Sequence, residues 1–244
     1  MTNNPLEFRT GVVAPIDCLK EGWETIKDQY WLFLGLTIVT MLVGGAVPIV
    51  LVGPMMCGLY LCFFAKMRGE PIEFGMLFKG FDYFVPGLVA AAIQTVPVFI
   101  IVVIADIFFF AFTFAVMPTR RGEEPPPIFW VGLVVFVLVA ITISMAIHAL
   151  FFFSYPLIVD RKLSGWDAIK TSYRAALQNL GGIVGIMLLM VGLGILGVLA
   201  CYVGAFLMMP VSFATYAAAY RRVFPDIGNL NFVAPPPPPG SWAA

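Results

Sequence analysis

Apolar residues run through this chain in four long tracts, residues 30–66, 84–117, 128–159 and 180–220, separated by short polar segments. A helix crosses the hydrocarbon core of a bilayer with about 20 apolar residues, so each tract is long enough to span a membrane. The tracts at 84–117 and 128–159 each exceed 30 residues with almost no charge and read as single helices that tilt or protrude. The other two are too long for one span. Gly44-Gly45, Pro48 and Gly53-Pro54 interrupt the first, and Gly192 to Gly197 with Gly204 interrupt the last. Each of these tracts therefore reads as a hairpin of two helices, which makes six spans.

The polar segments set the orientation, because Lys and Arg in short loops stay on the cytoplasmic side. In the six-span arrangement Arg9, Lys20, Lys27, Lys66, Arg68, Lys79, Arg161, Lys162, Lys170, Arg174, Arg221 and Arg222 share one side. Only Arg120 and Arg121, beside Glu123 and Glu124, fall on the other. Both termini are accordingly expected in the cytoplasm. The first residues, Met1 to Pro15, lack the basic-then-apolar order of a cleavable signal, so the first span is expected to be retained.

A weak internal repeat is visible when the chain is slid on itself. Asp17, Leu19, Lys20, Trp23 and Gly35 align with Asp167, Ile169, Lys170, Tyr173 and Gly185, and Pro54 and Tyr60 align with Pro210 and Tyr216. Each copy opens on an amphipathic segment. Ile16, Leu19, Trp23 and Ile26 form one apolar stripe at helical spacing, and Trp166, Ile169, Tyr173 and Leu180 form the other. Opposite them lie Asp17, Lys20, Glu24 and Lys27, and Asp167, Lys170, Arg174 and Gln178. Helices of this kind lie in the membrane interface, with Trp23, Trp166 and Tyr173 as headgroup-level anchors. The expected organisation is an N-terminal cytoplasmic segment (1–15), a six-span membrane domain (16–225) and a Pro-rich cytoplasmic tail (226–244). Within the domain, repeat units at about 16–67 and 166–223 flank a hairpin at 84–159. The repeats are parallel, unlike the inverted repeats of many transporters.

Composition supports this class: 61% of residues are hydrophobic and 11% charged, against about a quarter charged in a soluble domain. The formal net charge is zero, which gives no reason to expect nucleic acid as a partner. Cys18, Cys57, Cys62 and Cys201 form no CxxC pair and have no nearby histidine, so they read as small apolar residues rather than metal ligands. A disulfide between Cys57 and Cys201, both near outer span ends, stays open. No HExxH or GxSxG signature is present, and no second carboxylate accompanies Asp106 as an intramembrane aspartyl protease would require. No cofactor and no catalytic residue is expected.

Ionisable groups inside the hydrocarbon are expensive and mark candidate sites. Here they are Asp106 in the third span and His148 in the fourth. Residues opposite one another in an antiparallel hairpin are equidistant from its loop, centred between Arg121 and Glu124. Asp106 then faces Val139 or Ala140, His148 faces Pro97, and the two lie about 13 Å apart along the axis. The level of His148 is that of Gln94 and of the carbonyl of Ile93, which Pro97 deprives of its helical donor. Gln94, His148 and Ser144 therefore read either as a structural hydrogen-bond network or as a ligand site, and Asp106 as either structural or functional. Gln94 and Asp106 do not line one path, being about 120° apart around the helix.

Several residues at loops and helix ends carry a resemblance: Gly53-Pro54 with Gly58-Leu59, Arg68-Gly69-Glu70, Phe74, Leu77-Phe78 and Gly80-Phe81. Further along stand Pro156-Leu157-Ile158-Val159-Asp160, Ala168 with Ser172, and Tyr220-Arg221. In these the chain resembles uncharacterised bacterial integral membrane proteins related to the membrane domain of some glycerophosphodiester phosphodiesterases. The resemblance runs from about residue 14 to residue 224. It implies a six-helix architecture in a bacterial inner membrane and no assigned activity, and the phosphodiesterase catalytic domain has no counterpart in this chain. The tail at Pro235 to Pro239 departs from the family pattern and reads as a disordered end or an extended polyproline ligand.

The expected fold is thus all-α and polytopic. Small residues (Gly181, Gly185, Gly194, Gly197, Ala200, Ala214, Ala217 and Ala218) and the runs Phe108 to Phe110 and Phe151 to Phe153 suit contact with other helices or with lipid. The expected role is a non-catalytic accessory or scaffold subunit with membrane lipids and other membrane proteins as partners. The alternative is a small permease or channel around Gln94, His148 and Asp106.

Overall fold

A computed structural model describes residues 8–116, 125–199 and 203–225. The chain is all-helical, with no strand among the described residues. In order come α1 (Pro15–Ile26), a 3₁₀ turn (Lys27–Gln29), α2 (Tyr30–Ala46), α3 (Val52–Met67) and a 3₁₀ stretch (Phe74–Tyr83). They are followed by α4 (Phe84–Val116), α5 (Pro127–Leu150), α6 (Ser154–Arg161), α7 (Gly165–Gln178), α8 (Leu180–Leu199) and α9 (Val203–Val223).

Among the described residues five helical stretches are long and apolar enough to cross a membrane: Pro15–Ala46, Phe74–Val116, Pro127–Arg161, Leu180–Leu199 and Val203–Val223. The remaining apolar helix, α3, has 16 residues and falls short of the usual crossing length of about 20. The chain breaks between α2 and α3 where Gly44-Gly45 and Pro48 predict it, and the turn places Ile49 at a φ of 72°. The last tract divides into two helices as expected, with α9 starting beside Gly204, but α8 continues through Gly192 to Gly197 as far as Leu199. Gly197 serves close packing instead, since a Cβ there would lie 2.6 Å from the Ala205 nitrogen of α9. Cys201, Arg120, Arg121, Glu123, Glu124 and the Pro235 to Pro239 tail lie outside the described residues.

The tract at 128–159 is not one helix. It breaks after Leu150 and restarts at Ser154 as α6, although nothing but phenylalanine occupies 151–153. The cause is on α7: the Ser172 hydroxyl donates to the Leu150 carbonyl and accepts from the Phe153 N–H, each at 3.1 Å. One side chain thereby satisfies a donor and an acceptor that the helix would otherwise have paired internally. The break turns Phe153 fully inward and Phe152 against Tyr216, with ring centroids 4.9 Å apart, so this run is not the lipid-facing surface its composition suggests.

The core is built around α3, which is buried on most sides by α2, the 3₁₀ stretch, α4, α6 and α9. Two glycine pairs permit that crowding. A Cβ at Gly58 would collide with the Leu77 carbonyl and one at Gly80 with the Pro54 carbonyl, while Gly53 and Gly87 let α3 and α4 touch backbone to backbone. Phe33 stacks on Phe63 at 4.8 Å, and Tyr220 on Phe224 at 5.1 Å, filling the space around these contacts. The register of the α4–α5 hairpin is as the loop position predicts, with Phe109 stacked on Phe136 at 4.6 Å and Phe112 against Gly132.

The element order of α1–α3 recurs in α7–α9, but the packing does not. α1 lies along α9, where a Cβ at Gly22 would stand 2.6 Å from the Thr215 nitrogen. α7 lies instead on α4 and α6. The inward face of α1 is Cys18, Gly22 and Ile26, whereas Ile16 and Trp23 of the expected stripe are exposed. α7 buries Ala168, Ile169, Ser172, Ala175 and Ala176 and exposes Trp166 and Tyr173. On both helices the polar residues expected to face outward do so.

Candidate functional site

Charge gathers at one end of the bundle. Where α6 and α9 end, Asp160 accepts the Tyr220 hydroxyl at 2.7 Å and pairs with Arg221 Nη1 at 2.8 Å and Arg161 Nε at 3.1 Å. The side chains of Asp160 and Arg161 are only 9% and 7% exposed, so the pair lies in a medium of low dielectric. The Arg221 guanidinium also sits 4.3 Å over the Phe64 ring, and Arg161 Nη2 donates to the Pro225 carbonyl at 2.7 Å. One carboxylate thus ties α6, α9 and α3 together. Its oxygens are occupied by donors, which suits it to holding helices rather than to moving protons.

Around this cluster the remaining pairs are more exposed. Arg222 reaches Glu21 of α1 through Nη2 at 2.6 Å and Nε at 3.1 Å, and Lys66 pairs with Asp28. Arg68 donates to both oxygens of Glu70 at 2.6 and 2.9 Å in the loop after α3. That contact holds the Glu70 carboxyl below the usual carboxylate range. The N-terminal segment is fastened to the same end: the Arg9 N–H donates to the Val223 carbonyl at 2.9 Å, and Asn179 Nδ2 donates to the Arg9 carbonyl at 3.0 Å.

The three intramembrane candidates are not brought into contact. His148 is exposed and its Nδ1 lies 2.9 Å from the Ser144 carbonyl on its own helix. Asp106 is exposed on α4 and forms no hydrogen bond or ion pair with Gln94 or His148. Gln94 is half-buried, and its amide nitrogen is buried without a hydrogen-bond partner. Among the described residues no group of three or more His, Cys, Asp or Glu is placed to hold a metal ion. Cys18, Cys57 and Cys62 are buried free thiols.

Beside α7 opens a cleft of about 380 Å³ lined by Phe151, Ile169, Lys170, Tyr173 and Arg174. It joins the end of α5 to the polar face of α7 and combines two cations with three apolar side chains. Its position depends on the break at 151–153, which the apolar pattern did not signal. Asp160, Tyr220 and Arg221 were legible only as helix-end residues, because their partnership spans 60 positions of sequence.

No family model, no curated protein and no solved structure matches the chain.

Proposed function

We propose that the protein is a non-catalytic integral membrane protein that crosses the bilayer six times, with both termini cytoplasmic, and acts as an accessory or scaffold subunit of a membrane complex or in lipid association. The six-span reading treats α3 as a short sixth crossing paired with α2, and α1 and α7 as interfacial helices. A bacterial inner membrane location follows from the resemblance to uncharacterised bacterial membrane proteins. The observation that carries the role is the distribution of polar groups. The buried ionic contacts join helices of this chain to one another at one end, while long apolar faces of α4 and α5, including Phe99, Ile104, Phe108 and Phe110 on α4, are exposed among the described residues. Such faces suit lipid or neighbouring membrane helices. Ala214, Ala217 and Ala218, by contrast, are buried within the bundle, leaving Gly181, Gly192 and Gly194 as small residues with open space beside them.

Purification from native membranes in mild detergent, with identification of what accompanies the chain, tests this reading. A co-purifying membrane protein or a bound lipid is expected, and a chain that runs alone and lipid-free removes its support. The permease alternative draws on one observation, the unpartnered Gln94 amide on a spanning helix. Substrate uptake into vesicles that is abolished by His148→Ala would favour it instead.

A further inference from the structure

Several basic residues of this chain are held by acids. Among the described residues Lys27 pairs with Glu24, Lys66 of α3 with Asp28, and Arg222 of α9 with Glu21 and Asp17 of α1, whereas the surface residues Lys20, Lys79 and Lys162 make no ion pair. Two further cations stand on α7. Lys170 and Arg174 stand one turn apart on the same face, so they repel each other, and neither makes an ion pair among the described residues. The carboxylates on α7 and on α6, which packs against it, are engaged elsewhere. Asp167 is hydrogen-bonded to Ser164 at the start of α7, and Asp160 is enclosed by Arg161, Arg221 and Tyr220. The Lys170 ammonium lies 5.1 Å from the centre of the Trp166 ring.

These two cations line the cleft beside Phe151, Ile169 and Tyr173. Ile169 forms a buried wall, Phe151 is half-buried, and Tyr173 is 46% exposed with its hydroxyl end free to reach a polar group. The cleft opens where α5 ends and just before α8 begins, at the junction of apolar helices with a charged helix. A small soluble anion would use the cations and leave the apolar wall wet, and an apolar helix would leave two unpaired charges desolvated. A molecule carrying both a negative phosphate and a hydrocarbon chain satisfies both halves.

We propose that this cleft is a binding site for an anionic phospholipid, with the phosphodiester held between Lys170 and Arg174, Tyr173 at the glycerol level, and an acyl chain against Phe151 and Ile169. Basic pockets between helices at the cytoplasmic boundary recognise headgroups in this way. The inference rests on the reading that the chain is embedded in a membrane, and it names the lipid class and the place that reading leaves open.

The test uses the full chain purified in mild detergent and offered phosphatidylglycerol or phosphatidylcholine, with retained lipid measured by native mass spectrometry. Wild type should retain phosphatidylglycerol preferentially, and Lys170→Ala with Arg174→Ala should weaken that retention about 10- to 30-fold. Lys27→Ala, which removes a cation already paired with Glu24, should change little. As a measurement independent of any variant's folding, phosphatidylglycerol with a photoreactive acyl chain should label wild type within residues 151–174. Equal retention of the two lipids, unchanged retention in the double variant, labelling confined to other helices, or displacement by inorganic phosphate as effective as by lipid would each overturn the proposal. Alkaline carbonate treatment of native membranes separates the two failures. A chain that washes off sinks the membrane reading, whereas one that stays in the membrane but shows no anionic preference sinks only the cleft.

Discussion

The two ends of the α4–α5 hairpin are both strongly apolar and have opposite surroundings. At one end Gly87, Ala90 and Ala91 of α4 and Ala149 of α5 are buried, and α3, α6 and α7 crowd against them through backbone contacts. At the other, Phe108, Phe110 and Phe114 are 72%, 63% and 80% exposed, while Phe109 stacked on Phe136 and Phe112 against Gly132 join the two helices. Hydropathy cannot tell these ends apart, since lipid and protein interior are equally apolar solvents for a side chain. Small residues can, because close backbone approach requires them on both partners.

That comparison is open to attack at several points. The strongest is the charge cluster: Asp160→Ala leaves two guanidinium groups without their shared carboxylate and should destabilise the folded chain by about 3–5 kcal/mol, read as thermal unfolding in detergent. A loss below about 1 kcal/mol would mean that the cluster is hydrated rather than enclosed. Gly58→Ala comes next, because its Cβ meets the Leu77 carbonyl rather than a flexible side chain. A cost of about 1–3 kcal/mol is expected, and tolerance of alanine there would show that α3 is not tightly held.

Ser172→Ala should cost about 1–2 kcal/mol by stranding the Phe153 N–H and the Leu150 carbonyl. Faster amide hydrogen exchange centred on 150–154 would accompany it. At the outer end Phe110→Ala should change stability by less than about 0.5 kcal/mol in detergent. An effect as large as that of Gly58→Ala would erase the contrast between the two ends. The smallest effect belongs to Glu70, whose carboxyl is exposed although Arg68 lowers its titration. A group with a depressed folded pKa stabilises above its unfolded value and loses that contribution as pH falls through the folded value. Wild type should therefore exceed Glu70→Gln slightly at neutral pH, and the difference should vanish in acid; an advantage that grew on acidification would contradict the Arg68 contact.

Much of the architecture was readable along the chain. The turn after α2 follows from Gly44, Gly45 and Pro48, and the polar faces of α1 and α7 follow from helical spacing, because both depend on residues close in sequence. The α8 glycines misled, since a glycine run signals a turn and a helix contact equally well. The site was less legible. Gln94, Asp106 and His148 stand out by chemical type, yet none of them touches another. Lys170 and Arg174 look like ordinary positions on a charged face, and their distinction is the cleft they line with Phe151 and Ile169, which depends on what packs around α7.

By itself the sequence determined the helical class, the apolar tracts and the faces of the amphipathic helices, all set by local spacing and the cost of exposing backbone groups to hydrocarbon. Only the tertiary structure decided that Ser172 breaks the tract at 151–153 and that Asp160 gathers Arg161, Tyr220 and Arg221. It also decided that α1 lies on α9 while α7 lies on α4 and α6. Each of these depends on contacts between distant segments, whose partners a one-dimensional pattern does not specify.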